Sequence, residues 1–144
     1  MYRLLATLVL VALTSPACSD GSGDDADSFT RGRTVYGNVC SACHGSAGEG
    51  GIGPAMDTVI ATWPTCDEHV EWVTLGSDGW QREHGDTYGA TNKPVTGGMP
   101  PMTEQLTIEE ISAVAGFERS QYGGLAPDVA TQQCDATIAA ELQD

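Results

Sequence analysis

Apolar residues recur at helical spacing in three stretches of the chain, and no stretch of useful length alternates like a β-strand. The three stretches are 30–39, 65–76 and 107–119. The last has the clearest stripe, in which Ile111 and Val114 lie one helical turn apart. The pattern therefore predicts an all-α domain of short helices joined by long loops.

The two later helices carry sequence signals for their first residues. Thr65 followed by Glu68, and Thr107 followed by Glu110, have the spacing of a capping box, in which each residue satisfies a backbone N–H of the other. Gly76 suits the position just beyond a helix end. We therefore expect the helix that starts near Thr65 to end there.

Glycine-rich segments separate and close these helices. Residues 45–55 and 77–98 hold many turn-forming residues without a period, so both are predicted as loops. The segment from Gly123 to Pro127 is expected to end the folded domain. The tail 128–144 is predicted to form one weak helical turn at most.

The first 17 residues have the pattern of an export signal. Arg3 precedes a short apolar stretch, 4–13, and small residues follow at the positions that a signal peptidase reads. Cys18 comes next, which resembles the start of a bacterial lipoprotein, although Leu is more usual than Ser three residues before such a cysteine. We expect export to the periplasm or the outer face of the cytoplasmic membrane. The chain would be lipid-anchored at Cys18 or simply secreted, with a retained anchor as the third alternative.

Residues 18–29 are small, acidic and poor in apolar side chains, which predicts a flexible tether. The expected organisation is a signal peptide at 1–17, this acidic tether at 18–29, a folded domain at 30–126 and a C-terminal extension at 127–144.

The chain is strongly acidic, with 6 Lys and Arg against 20 Asp and Glu. This charge disfavours nucleic acid and anionic membrane surfaces, because the electrostatic term would be repulsive. It favours encounter with a basic protein surface, although a merely solvated acidic surface is an equal alternative. Aromatic residues make up only 6% of the chain, which hints that a cofactor fills part of the interior.

The segment Cys40-Ser41-Ala42-Cys43-His44 carries the chemistry. A C-x-x-C-H sequence is the pattern of c-type haem attachment, in which two thiols form thioether links and the histidine ligates the iron. A thioredoxin-like dithiol is an alternative, but it needs a βαβ context that the pattern lacks. A zinc site would need two more ligands close by, and none follows. We therefore predict one haem c covalently bound at Cys40, Cys43 and His44.

The chain at this point resembles a class I cytochrome c over roughly residues 30–122. The resemblance rests on Gly32 and Tyr36, CSACHG at 40–45, Gly53-Pro54, Gly98-Met99-Pro100, and Ile111, Val114 and Phe117. It implies a small helical fold with long Gly-rich loops wrapped around one haem. It also implies that Gly32 makes room for Phe117 where the first and last helices cross, and that the Pro54 carbonyl accepts a hydrogen bond from His44.

The sixth iron ligand must come from Met56, Met99, Met102, His69 or His84. Met99 is favoured, because Gly-Gly-Met-Pro resembles the ligand loop of the family and proline stiffens the chain there. Met102 is alternatively a gap-filling core residue. For His69 and His84 the alternatives are a partly buried helix face and a solvated loop. From the resemblance, Trp80, Tyr88 or Lys93 could donate to a haem propionate, or simply pack or be buried.

Two cysteines remain after haem attachment and possible lipidation, namely Cys66 and Cys134. Because they are even in number and the compartment is oxidising, we expect a structural disulfide that fastens the extension to the helix near residue 65. Two unpaired buried thiols are the alternative.

His44 and Met99 together would fill both axial positions of the iron, which leaves outer-sphere electron transfer as the expected function. The leading hypothesis is a monomeric electron carrier between redox proteins, with no enzymatic activity and with basic docking surfaces on its partners. A fixed cytochrome subunit of a periplasmic dehydrogenase or oxidase is the second hypothesis. A haem enzyme or gas sensor with an open axial position is the third, and it requires that Met99 does not ligate.

Overall fold

The computed structural model describes residues 22–141, with side chains from residue 25 to residue 135. The helices in chain order are α1 (Ser22–Val35), α2 (Ser41–His44), α3 (Val59–Thr62), α4 (Cys66–His84), α5 (Ile108–Gln121) and α6 (Pro127–Glu141). A π-helical turn, Tyr36–Cys40, joins α1 to α2, and a 3-10 turn, Met102–Glu104, precedes α5. The strands β1 (Thr87–Tyr88) and β2 (Lys93–Pro94) pair antiparallel. The expected all-α architecture is confirmed. None of the described helices has the length and apolar character needed to span a membrane.

The predicted signal segment 1–17 and the possible lipid site Cys18 lie outside the described residues. The tether prediction for 18–29 is wrong from Ser22 onward, because α1 begins there. The early part of α1 packs against α6, where the Gln132 side-chain amide donates a hydrogen bond of 3.1 Å to Asp25. Composition alone could not reveal this partner for an acidic segment.

Helices α1 and α5 cross at Gly32. A Cβ added to Gly32 would overlap the carbonyl oxygen of Ala113 and would lie 2.8 Å from Cβ of Phe117. The ring of Phe117 packs beside Tyr36, with centroids 5.6 Å apart, and Ile111 and Val114 are fully buried. The close helix approach expected for Gly32 and Phe117 is therefore present, and it depends on the missing side chain.

Helix α4 does not end at Gly76 but continues to His84 after a kink. Gly76 has φ 65° and ψ −179°, a conformation that glycine adopts more readily than other residues. A Cβ here would lie 2.6 Å from the carbonyl carbon of Pro100 and 2.7 Å from the carbonyl oxygen of Met99. The glycine signal marked a real break in helical geometry, but the segment 77–84 resumes the helix. The loop prediction for that segment was wrong.

The two predicted capping boxes differ in the structure. At Thr107 both reciprocal bonds form, since the Glu110 N–H donates to the Thr107 hydroxyl and the Thr107 N–H donates to the Glu110 carboxylate. At Thr65 the Glu68 N–H donates to the hydroxyl at 3.5 Å, while the Glu68 carboxylate accepts from that hydroxyl instead of the backbone.

The C-terminal extension forms a helix of 15 residues where one weak turn was predicted. Pro127 occupies the first position of α6, which favours proline because the N–H there would have no intrahelical partner. Cys134 of α6 is joined by a disulfide to Cys66, the first residue of α4. The Ser112 hydroxyl of α5 donates a buried 2.7 Å hydrogen bond to the Cys134 carbonyl. Helix α6 is thus part of the folded domain.

Arg119 connects three parts of the fold from a position that is only 1% exposed. Its guanidinium donates to the backbone carbonyls of Trp63, Pro64 and Thr65, which precede α4, and to the side-chain oxygen of Gln133 on α6. Burial lowers the pKa of Arg119, but a guanidinium stays charged in proteins. The connection before α4 is therefore held against α5 and α6 by a buried cation.

The helix crossing yields a stability prediction. Gly32→Ala should lower the free energy of unfolding by about 1–3 kcal/mol, because backbone and side-chain atoms of α5 must move to admit the methyl group. Gly37→Ala is the matched control, since a Cβ there meets nothing within 4 Å. Urea unfolding followed by circular dichroism checks both. Equal effects at the two positions would contradict the close crossing.

The disulfide yields a second stability prediction. Cys66 and Cys134 are separated by 68 residues, so replacing both by Ser should cost about 4 kcal/mol on the chain-entropy model. Mass analysis of the unreduced protein should show the linked peptides and no alkylation of either thiol. Recovery of both cysteines as alkylated peptides would contradict the link.

Candidate functional site

A cavity of about 340 Å³ lies between the CSACH segment, α4, α5 and the loop that precedes the 3-10 turn. Cys40, Cys43 and His44 contribute to its wall on one side. Met99 and Met102 contribute to its wall from the later loop. Most of the wall is apolar or aromatic, and the cavity brings together the attachment residues and the favoured sixth ligand from positions 55 or more residues apart.

Cys40 and Cys43 are presented by the π-helical turn and by α2. The turn is anchored through Tyr36, which is 2% exposed and whose hydroxyl donates a 2.7 Å hydrogen bond to the Gly45 carbonyl just beyond the motif. Both cysteines are half-buried free thiols. Two sulfurs and an imidazole are thus held within five consecutive residues, Cys40 just before α2 and Cys43 and His44 at its end.

Burial raises the pKa of the Cys40 thiol, and the nearby Glu118 carboxylate raises it further. Catalytic dithiols of the thioredoxin kind depend on a lowered thiol pKa that supplies a thiolate. The electrostatics at Cys40 are therefore the opposite of those that a thiol–disulfide exchanger requires. Over residues 22–141, no group of three or more His, Cys, Asp or Glu side chains is placed to hold a metal ion.

His44 is oriented by the loop that follows it. Its Nδ1 lies 2.9 Å from the carbonyl oxygen of Pro54, the hydrogen bond that the sequence resemblance implied. A carbonyl can only accept, so Nδ1 carries the proton and Nε2 keeps the lone pair that can ligate iron. Gly53 lies against the ring, because a Cβ there would be 2.7 Å from Cε1.

Met99 is half-buried and packs against the core cluster that includes Val70, Val73 and Met102. Its carbonyl oxygen accepts two hydrogen bonds from Ser77, one from the backbone N–H at 2.9 Å and one from the hydroxyl at 3.1 Å. The kink at Gly76 allows the loop to come this close. The Met99 loop is therefore held against α4 by its backbone, which leaves the thioether free for another role.

Of the other candidates for the sixth ligand, Met56, Met102 and His69 also line the cavity and His84 does not. Met102 is 8% exposed, and its sulfur lies 3.8 Å from the Gln105 side-chain amide, which agrees with a core role. Met56 packs against the cluster around Tyr36 and Phe117. His84 is exposed and bonded to Glu71 at 2.9 Å. His69 is 2% exposed and lines the cavity, so it is more deeply buried than a partly buried helix face would be.

Three residues were expected as possible donors to a haem propionate. Trp80 does not line the cavity, and its indole N–H already donates a 2.9 Å hydrogen bond to the Thr87 carbonyl, so this expectation was wrong. Tyr88 and Lys93 do line the cavity. Tyr88 stacks on Trp72 with centroids 4.3 Å apart, and Lys93 donates to the Thr58 hydroxyl at 2.8 Å.

These residues fit a covalently bound haem. The donor set combines two thiols and an imidazole whose tautomer is fixed by Pro54, and the cavity beside them also holds a thioether. Two buried polar atoms on the cavity wall, Oγ1 of Thr62 and Nδ1 of His69, have no hydrogen-bond partner. Buried polar atoms are normally satisfied, and an occupant with polar groups, or water, would satisfy them.

Compared with known protein families, the chain matches the family described as Cytochrome c over residues 29–121. That match covers well over half of the chain. The chain belongs to the cytochrome c family. No curated protein and no solved structure matches it significantly.

Family membership confirms the resemblance over residues 30–122 and establishes a haem-binding electron-transfer protein. The cofactor of such a domain is haem c with its iron, covalently attached. The matched region ends at the last residue of α5, so α6 lies outside the part of the chain that matches the family.

Sequence reasoning missed two polar features of the site. One is Ser77, which lies in a segment predicted as loop. The other is a buried pair, His69 Nε2 and Glu118 Oε2, 3.1 Å apart with both side chains 3% exposed. Glu118 follows Ile111 and Val114 at helical spacing, so the sequence places a carboxylate on the apolar stripe of α5. That placement was the signal from which a buried polar pair could have been predicted.

Met99 and Met102 both line the cavity, so the prediction that Met99 ligates the iron can be tested against Met102. In the haem-loaded cytochrome, Met99→Leu should remove the weak long-wavelength band of thioether-ligated ferric iron and lower the reduction potential, because a thioether stabilises the ferrous state. The same change at Met102 is the matched control and should preserve the band. Loss of the band in Met102→Leu with retention in Met99→Leu would reverse the assignment.

Proposed function

We propose that this cytochrome is an exported carrier that passes single electrons between redox proteins by outer-sphere transfer. His44 and Met99 would ligate the iron, and Cys40 and Cys43 would fix the macrocycle through thioether links. Haem, when bound, supplies a one-electron iron couple. The observation that carries the proposal is that His44 and Met99 are each fixed in the wall of one cavity.

Each proposed ligand is positioned by a bond to a neighbouring loop or helix. Pro54 accepts the His44 Nδ1 proton, which orients the ring and raises the basicity of Nε2. Ser77 fixes the backbone of Met99. Ligation by both His44 and Met99 would leave the iron without a vacant site for oxygen or peroxide. This supports electron transfer over chemistry on a bound substrate.

The charge of the chain supports a basic docking surface on the partner. The formal net charge is −14, and of the few cationic residues Arg119 is buried among backbone carbonyls. A surface of this sign accelerates encounter with a positively charged protein and slows encounter with a negatively charged one. Export is supported by the signal-like segment 1–17, and lipid attachment at Cys18 by its place after that segment.

Electron exchange and ligand binding test the proposal together. Stopped-flow oxidation of the reduced cytochrome by a basic redox protein should slow by about tenfold or more from low to physiological ionic strength, because salt screens the attraction. An acidic redox protein of similar potential is the control, and its rate should rise with salt. Rapid binding of carbon monoxide to the ferrous protein would contradict the filled axial position and favour a haem enzyme or gas sensor.

A further inference from the structure

A buried acid–base pair lies in the wall of the cavity. His69 of α4 and Glu118 of α5 are 2% and 3% exposed, and their Nε2 and Oε2 atoms are 3.1 Å apart. Both residues line the cavity. Titratable side chains are rarely buried this completely, and burying a charge is costly unless it is paired.

The pair has a feature that a purely structural ion pair would lack. Nδ1 of His69 is buried and has no hydrogen-bond partner. One imidazole nitrogen, Nε2, therefore contacts the Glu118 carboxyl group, and the other, Nδ1, lacks a hydrogen bond although its residue lines the cavity. His69 also stacks on Trp63, with ring planes 5° apart, so its orientation is fixed.

We propose that the His69–Glu118 pair is a proton-binding site coupled to the haem, one that takes up a proton when the iron is reduced and releases it on oxidation. This inference rests on the proposed electron-carrier function. The electron comes from a reduced partner protein and the proton comes from solvent. Charge added to a poorly solvated cavity is offset when a proton enters beside it, so each event favours the other.

The charges around the pair are compatible with this role. Tyr36, Tyr122 and Cys40 all face the Glu118 carboxylate. Burial raises the pKa of both tyrosines, so they stay neutral near pH 7. Cys40 does not titrate once it is a thioether. Arg119, next in the chain, keeps a constant positive charge among its carbonyl partners.

Other titratable groups on the cavity wall are His44, Tyr88 and Lys93. The Nδ1 proton of His44 is donated to the Pro54 carbonyl, and its other nitrogen would ligate the iron in the haem-loaded protein, which would leave no nitrogen to take up a further proton. Burial raises the pKa of Tyr88, which keeps it neutral. Lys93 donates to Thr58. The carboxylates of haem itself could also bind the proton that is taken up on reduction. The experiment must therefore distinguish them from the His69–Glu118 pair.

Redox titration of the haem-loaded cytochrome at a series of pH values tests the proposal. If the reduced state binds the extra proton, the midpoint potential falls as pH rises, because alkali removes the proton that favours reduction. His69→Gln and Glu118→Gln should each remove this slope. His84→Gln is the matched control, since it removes the exposed His84–Glu71 pair of the same helix, and it should retain the slope.

Proton uptake by the unaltered cytochrome provides a measurement that does not depend on the variants folding. A pH-indicator dye in weak buffer should report protons taken up on reduction, and redox-difference infrared spectra should show a carboxyl signal that is absent in Glu118→Gln. A midpoint potential independent of pH would overturn the inference. A slope that persists in both His69→Gln and Glu118→Gln would also overturn it, and would assign the proton to the haem carboxylates. Normal electron exchange in that event would leave the proposed function standing.

Discussion

The haem site depends first on how closely α1 approaches α5. The absence of a side chain at Gly32 lets the backbone of α1 lie against Ala113 and Phe117. That approach sets the position of Tyr36, whose hydroxyl then holds the end of the attachment motif through Gly45. The positions of the two cysteines and of His44 therefore depend on a helix contact that lies outside the cavity.

The features of the site that sequence could predict are local ones. C-x-x-C-H specifies chemistry by spacing, the Gly-Gly-Met-Pro run around Met99 signals a stiff loop, and Thr107 with Glu110 starts a helix through neighbouring backbone groups. Each of these signals acts over a few residues, which is why it can be read without knowledge of the fold. The close crossing at Gly32 could be expected only through resemblance to a family.

The features that sequence could not predict depend on distant partners. Helix α6 has little apolar periodicity of its own, yet it is held by the Cys66–Cys134 disulfide, by Ser112 and by Arg119. The helix after Gly76 continues because the Met99 loop packs into the kink. The early part of α1 is helical beside α6 although its composition is typical of a tether. In each case tertiary packing overrides local propensity.

The same packing bears on how an electron carrier can work. Groups that are already fixed around a redox centre need little rearrangement when its charge changes, so the cost of transfer is low. Here Pro54 fixes His44 on one side, and Ser77 fixes the Met99 backbone on the other. Arg119 holds the segment before α4, the helix that carries Ser77, and the disulfide fastens the first residue of α4 to α6. None of the residues of α6 whose side chains the structure describes, 127–135, lines the cavity. Helix α6 still has a physical role in the site, because it restrains the helix that positions the proposed thioether ligand.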